Sequence, residues 1–373
     1  MHVVRVDEIA DIVMGQSPPG SSYNETGCGL PFFQGKAEFG EISPIAKKWC
    51  NDPKRLAEAG DILMSVRAPV GPTNVASERC CIGRGLAAVR ANATKIDQGF
   101  LRYFLRFSES RLARLGQGST FAAIGRAEIA SLMLRLPSIA EQRRIVDLLS
   151  RAEGIVRLRR EAQRKTAELI PAIFLDLFGD PASNPKRWPL VAFGELGQLD
   201  RGKSRHRPRD AQELYDGPYP FIQTGDVANS GGHIVRYEQT YSELGLAQSR
   251  LWPSGTLCIT IAANIARTGV LDFDACFPDS VVGFTPSHDV TVDYIQHWLG
   301  FLQPTLEMNA PQAAQKNINL NILRNLPVPV PPVDLQHRFA AKVEAVRGIV
   351  ARQTTALATA QAAFDALLHQ AFA

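Results

Sequence analysis

The stretch PPVDLQHRFAAKVEAVRGIVARQTTALATAQAAFDALLHQAFA, residues 331–373, decides how this chain is read. Within it Phe339, Val343, Val346, Val350, Gln353, Leu357, Ala360, Phe364, Leu367 and Ala371 alternate four and three positions apart. That is the seven-residue spacing of a helical seam. Counting back 194 positions gives Ile145, Leu149, Ala152, Val156, Arg159, Gln163, Thr166, Ile170, Ile173 and Leu177, a second stripe in the same phase. Each stripe follows a proline boundary, Leu136-Pro137-Ser138 or Pro329-Val330-Pro331-Pro332, and a helix start tolerates the missing N–H of proline. Helices of ~35 residues would be ~50 Å long, and Pro171 should end or kink the first near its final turns. Such a helix either caps its own domain or needs a partner. The length of the stripe favours two helices that pair with each other, antiparallel, as a ruler between two globular heads.

Outward from the helices, the chain repeats itself, residues 1–178 against 188–373. Met14-Gly15-Gln16-Ser17 is echoed by Arg201-Gly202-Lys203-Ser204, and Pro31-Phe32-Phe33-Gln34-Gly35 by Pro220-Phe221-Ile222-Gln223-Thr224. Gly60-Asp61-Ile62-Leu63 is echoed by Gly255-Thr256-Leu257-Cys258. The offset drifts from 189 (34 to 223) to 195 (60 to 255) and then settles at 194, as in Pro137 and Pro331. Variable loops on a fixed frame give that pattern. In each copy, short apolar runs punctuated by Gly, Pro and Asn read as strands: 61–66, 85–89, 256–262 and 280–284. A short amphipathic helix follows, 100–115 or 293–307, and the turn residues of Gly179-Asp180-Pro181 mark the join.

A chain of 373 residues suits two to three domains. Its 45% hydrophobic and 21% charged residues are ordinary for a globular protein. No window approaches the roughly 18 apolar residues of a membrane span, and the N-terminus lacks a signal-peptide pattern, so a cytoplasmic protein with no membrane partner is expected. The six cysteines form no CxxC pair or Cys/His ladder, which argues against a disulfide framework or a zinc site. Adjacent Cys80 and Cys81 read as small strand residues. The net charge of +4 permits nucleic-acid binding without demanding it.

Gly197 to Ser204 satisfies the phosphate-loop pattern GxxxxGK[ST]. The segment before it is broken by Gly194 and the one after holds Pro208, where such a loop needs a strand and a helix. The match therefore reads as coincidence. HExxH, GxSxG, GxGxxG and an Asn/Asp-Pro-Pro-Tyr/Phe loop are all missing, and Asp272, Asp274 and Asp279 read as loop residues. No enzyme is expected, and no catalytic or metal-binding residue. Positive charge is better placed: Arg201, Lys203, Arg205, Arg207 and Arg209 alternate through one stretch beside Ser204. A solvated loop is the plain account, but five cations in nine residues also suit a phosphate or groove contact. Gln16, Ser17, Gln34 and Lys36 hold the matching places in copy one, and Gln34 and Gln223 follow equivalent strands. Glutamine can read adenine through two hydrogen bonds, and it can equally bond a turn. Arg67 and Lys316, in loops, complete the candidate DNA contacts.

The duplicated plan, the stretches Pro137 to Gln142 and Pro332 to Gln336 at the helix starts, FLDLFGDPASNPKRW at 174–188 and the Gly-x-Ser and Phe-x-Gln landmarks together resemble specificity subunits of type I restriction–modification systems. The resemblance implies an α+β fold with two similar α/β target-recognition domains alternating with two long helices. The expected boundaries are 1–136 and 180–330 for the recognition domains, and 137–179 and 331–373 for the spacer helices. It further implies double-stranded DNA with a bipartite target, methyltransferase (modification) subunits docked on the helices, and a restriction motor–nuclease subunit. S-adenosylmethionine and ATP with magnesium would belong to those partners, with no cofactor in this chain. The rival readings are an NTPase using Gly197 to Ser204 and a coiled-coil scaffold without DNA preference.

Overall fold

A computed structural model describes residues 2–115, 123–205, 208, 210–262, 265–309 and 318–373. The chain divides into two compact units, Met1–Glu161 with Thr354–Ala373, and Ala162–Gln353. Each unit holds one mixed head, the first part of the long helix that follows it, and the last part of the other long helix.

In the first head an antiparallel sheet runs in the order Ala10–Met14, Leu86–Ala91, Ile62–Ser65, Thr73–Val75. The second head repeats the order with Gly197–Arg201, Val281–Pro286, Leu257–Thr260 and Thr268–Leu271, and adds His233–Ile234 as a parallel edge. The apolar runs became strands because their residues, such as Ile62, Leu63 and Met64, are wholly buried on both faces. Each head closes by pairing its first strand with the segment before the proline boundary: His2–Arg5 with Met133–Leu136, and Leu190–Ala192 with Pro327–Pro329.

A second structural rhyme explains the drifting offset. Phe32 lies beside Cys81 in a parallel pairing, and Phe221 beside Cys276 in a parallel bridge. The first partners differ by 189 positions and the second by 195, so loops between them changed length while the pairing did not. Cys80 and Cys81 are buried strand residues, and burial pushes their thiols up to about 12 and about 11, which keeps them protonated.

The expected helix over 100–115 is two helices, Gln98–Phe107 and Glu109–Leu115, broken at Ser108. Asp97 caps the first, its Oδ1 accepting from the backbone N–H of Gly99 at 2.8 Å and of Phe100 at 3.1 Å. Its counterpart spans Val292–Asn309. The first long helix, Ile139–Ala167, stops four residues before Pro171 and resumes as Leu169–Phe178. A proline ring strikes the carbonyl four residues back, here that of Ala167, so the break falls where sterics require it. The second long helix, Val333–Phe372, runs 40 residues unbroken.

The front half of each stripe faces inward, through Leu149, Val156, Phe339, Val343 and Val346, whereas further on three buried positions fall one residue later than expected, at Phe174, Phe178 and Leu368 beside the half-buried Ile173, Leu177 and Leu367. In the first unit Leu149, Val156, Phe364 and Leu368 join Tyr103 in one cluster, and Arg160 donates to Gln361 at 2.8 Å. In the second, Phe174 and Phe178 pack on Phe339 with ring centroids 5.5 and 5.3 Å apart. Arg159 departs from its expected seam position and is exposed, because a guanidinium buried there would lack a counter-charge.

Two buried amides join each head to its helix. Gln142 accepts from the Asp97 N–H at 2.8 Å and donates to the Pro137 carbonyl at 2.9 Å. Gln336 accepts from the Thr291 N–H at 2.8 Å and donates to the carbonyls of Asp289 at 3.0 Å and Pro331 at 2.9 Å. Both side chains have 0% exposure, so every group they satisfy would be stranded without them. Gln142→Leu should cost about 2–4 kcal/mol, seen as a lower midpoint in thermal or urea unfolding. A second prediction concerns His297, which burial and then the Arg347 charge push down to about 4. A histidine whose folded pKa is depressed stabilises above its unfolded value near 6.5 and loses that contribution as pH falls towards 4. The second unit should therefore weaken by up to about 3 kcal/mol over that window. Calorimetry across pH, with His297→Tyr flattening the dependence, checks this.

Candidate nucleic-acid interface

In the first head three chain segments come out at one rim of the sheet, and glycines let them meet. A Cβ on Gly15 would lie 2.1 Å from the Gly83 oxygen, and one on Gly85 would lie 2.1 Å from the Gln34 oxygen. Only a residue without a side chain allows backbones so close. The Gly15 N–H donates to Leu86 at 2.8 Å and the Gln16 N–H to Ile82 at 3.0 Å, which sends Gln16 and Ser17 over the rim. The result is a hollow of about 260 Å³ lined by Ser17, Gln34, Lys36, Arg67 and Arg84 among others. Four expected contacts thus converge, and Gln16 sits exposed beside them. Arg84 is the addition. It lies between Gly83 and Gly85, its N–H donating to Ser17 Oγ at 3.3 Å, and its side chain is exposed. Among the described residues neither Arg67 nor Arg84 has an ion-pair partner, so both cations remain available to an anion.

The second head uses the same device. A Cβ on Gly202 would lie 2.2 Å from the Phe277 oxygen, and the Lys203 N–H donates to that oxygen at 3.0 Å. Arg201, Lys203 and Arg205 are exposed along this segment, pinned by Ser249 Oγ donating to the Lys203 carbonyl at 2.8 Å and the Arg205 N–H donating to Gln248 at 2.5 Å. Ser204 turns inward and hydrogen-bonds the Tyr241 phenol. Arg207, Arg209 and Lys316 lie outside the described residues. Gln223 is exposed but faces a separate hollow with His233, Arg236, Tyr237 and Gln239, and its amide donates to Gln239 at 2.5 Å. Arg236 and Tyr237 escaped the sequence reading because a lone Arg-Tyr pair in a loop carries no spacing signal.

Gln34 and Gln223 are not strict equivalents. Both loops are capped by a carboxylate three residues on: the Gly35 N–H donates to Glu38 at 2.9 Å and the Gln223 N–H to Asp226 at 2.7 Å. Gln34 therefore precedes its cap while Gln223 is the cap, and the first head carries one more residue there.

The phosphate-loop match dissolves in three dimensions. Gly197–Arg201 is a strand in register with Val281–Pro286, and among the described residues no helix follows directly to offer its N-terminus to a phosphate. The grouped carboxylates tie loops: Asp272 bonds His233 at 2.7 Å and Asp274 accepts from the Ser254 N–H at 2.8 Å. Among the described residues no trio of His, Cys, Asp or Glu is arranged to hold a metal ion, and no helix is long and apolar enough to cross a membrane.

Two copies of one α/β head, each with a cation-bearing rim and each joined to a long helix, define a duplicated recognition protein. The model of the type I restriction modification DNA specificity domain matches residues 1–167 and again 185–357, and the chain belongs to this family. A Methanocaldococcus jannaschii protein assigned as the MjaX type I restriction enzyme specificity subunit is 42% identical over 154 residues, 41% of this chain and 36% of the relative. The chain thus matches about a third of that relative's length. The Escherichia coli EcoBI specificity subunit is 20% identical over 91% of this chain and 78% of its own. The fold is shared with the S subunit of a type I system from M. genitalium (TM-score 0.60, 15% identity, 100% of this chain and 96% of that one). A chain from a structure of complex assembly in a type I system also shares it (TM-score 0.65, 19% identity, covering 99% and 97%).

Replacing Arg67 or Arg84 by Ala should each lower the slope of log affinity against log salt by about 1 for duplex DNA. Fluorescence anisotropy titrations at several salt concentrations measure this.

Proposed function

We propose that this chain is the DNA sequence-specificity subunit of a type I restriction–modification complex, with each head reading one half of a bipartite site. The observation that carries the reading is the contrast between the heads. Their main sheets, closures and glutamine joints follow the same order, while their rims carry different cations and loops, Gln16 standing where the second head has Lys203 and Met14 where it has Arg201. Two frames alike and two rims unlike suit two different half-sites. The exposed cations would set position on the phosphates, and Gln16, Gln34 and Gln223 would offer amides to base edges. The working boundaries are 1–136 and 180–330 for the recognition domains, and 137–179 and 331–373 for the spacers.

In this reading the long helices pair as an antiparallel coiled coil and set the gap between half-sites. The inward stripes, with early residues of one helix against late residues of the other within each unit, support that pairing. The partners would be methyltransferase subunits seated on the helices and a motor–nuclease subunit. S-adenosylmethionine and ATP with magnesium would act there, and this chain would work in the cytoplasm without chemistry of its own.

The test is methylome sequencing of a host expressing the chain with its modification subunit. The expected result is a split motif, two short halves around a fixed gap. Inserting one heptad into both helices should lengthen the gap and leave both halves unchanged. Loss of one half-motif on insertion would reject the ruler, and no new methylation by a bound, active partner would favour the scaffold.

A further inference from the structure

The contact between each head helix and the long helix after it has the same register in both units and opposite chemistry. In the first unit Arg102 and Arg106 donate to Glu153 at 2.8 and 2.5 Å, and the Tyr103 hydroxyl donates to it at 2.9 Å. In the second, Arg347 donates to Asp293 at 3.4 Å and to Gln296 at 3.3 Å. Adding 194 to 102 and 153 gives 296 and 347, so the pairs occupy equivalent places. The anion on the first long helix has become a cation on the second. On the head side Arg102 and Arg106 have become the neutral Gln296 and Gly300, while Gly99 has become the carboxylate Asp293. The charged groups are one-fifth to one-third exposed, where charge interactions are less screened than at an open surface.

Size differs at the same contact. A Cβ on Gly99 would lie 2.9 Å from a methyl of Val146. The equivalents of Gly99 and Val146, again 194 residues on, are Asp293 and Ala340. The larger head residue therefore faces the smaller helix residue in the second unit, and the reverse holds in the first.

We propose that charge and shape at this register key each head to its own long helix, so that what moves as one specificity unit is a head with its helix through residue 153 or 347. A head exchanged alone at the proline boundary would press Asp293 against Val146 and set it facing Glu153. In the opposite exchange Arg102 would face Arg347. Like charges would meet in both cases, with overlapping atoms in the first and an unfilled space between Gly99 and Ala340 in the second. Residues 99, 102, 106, 146 and 153 are positioning residues in this account. The term specificity rests on the function proposed above, but the keying itself needs no DNA.

The test is a double-mutant cycle in the full-length chain, read by thermal unfolding and by hydrogen exchange over residues 98–107 and 139–156. One set gives the first head the other key, Gly99→Asp with Arg102→Gln and Arg106→Ala. The second set gives the first long helix the other socket, Val146→Ala with Glu153→Arg. Each set alone should lower the melting temperature of the first unit by about 4–8 °C, and the combination should recover at least half of that loss. Additive losses, or no loss from either set, would overturn the keying. Should either set prevent folding alone, the combination still decides, since a folded five-site variant supports the proposal and an unfolded one refutes it. A failed methylome with an intact cycle would count against the function and leave the keying standing.

Discussion

A buried primary amide at each joint is the constraint on which the architecture depends. Gln142 and Gln336 each bond the start of the head helix and the start of the long helix at once, through one acceptor and one or more donors. Two rigid elements that begin at the same amide cannot rotate independently, because the hydrogen bonds are directional and no water reaches them. An apolar residue of similar volume would fill the space and release the angle. The head sheet is anchored to that helix, so the orientation of its rim follows from the glutamine.

Backbone proximity plays the corresponding part at the rim. Gly15, Gly85 and Gly202 sit where a Cβ would fall about 2 Å from a carbonyl oxygen, inside any allowed contact. These positions fix where the rim segments run and leave the exposed side chains between them free to vary. Recognition residues can then change without altering the sheet beneath them.

Much of this was legible in the sequence because it depends on local pattern. The buried runs at 62–65 and 257–260, the front halves of the two helical stripes and the effect of Pro171 all follow from periodicity or sterics within a few residues. Gln16, Ser17, Gln34, Lys36 and Arg67 were recognisable as a set, and the structure brings four of them to one hollow. What could not be read depends on partners distant in sequence. Arg84 matters because the chain folds it against Ser17, 67 residues away. The unlike equivalence of Gln34 and Gln223 hinges on which residue a carboxylate caps. The polarity of the Glu153 and Arg347 contacts needed both helices in place before the charges could be paired.

The single extra residue between the Phe32 pairing and the Gly35 cap has an evolutionary consequence. Neighbouring residues in extended chain point in opposite directions, so adding or deleting one there replaces the side chain offered at the rim without any substitution. The cost is small, since a carboxylate three positions on can cap either length. Slippage in the gene at this point would change the side chain the rim offers in one event, while the joints and the sheet pass through unchanged. The two heads of this chain stand as two settings of that dial, preserved side by side in one molecule.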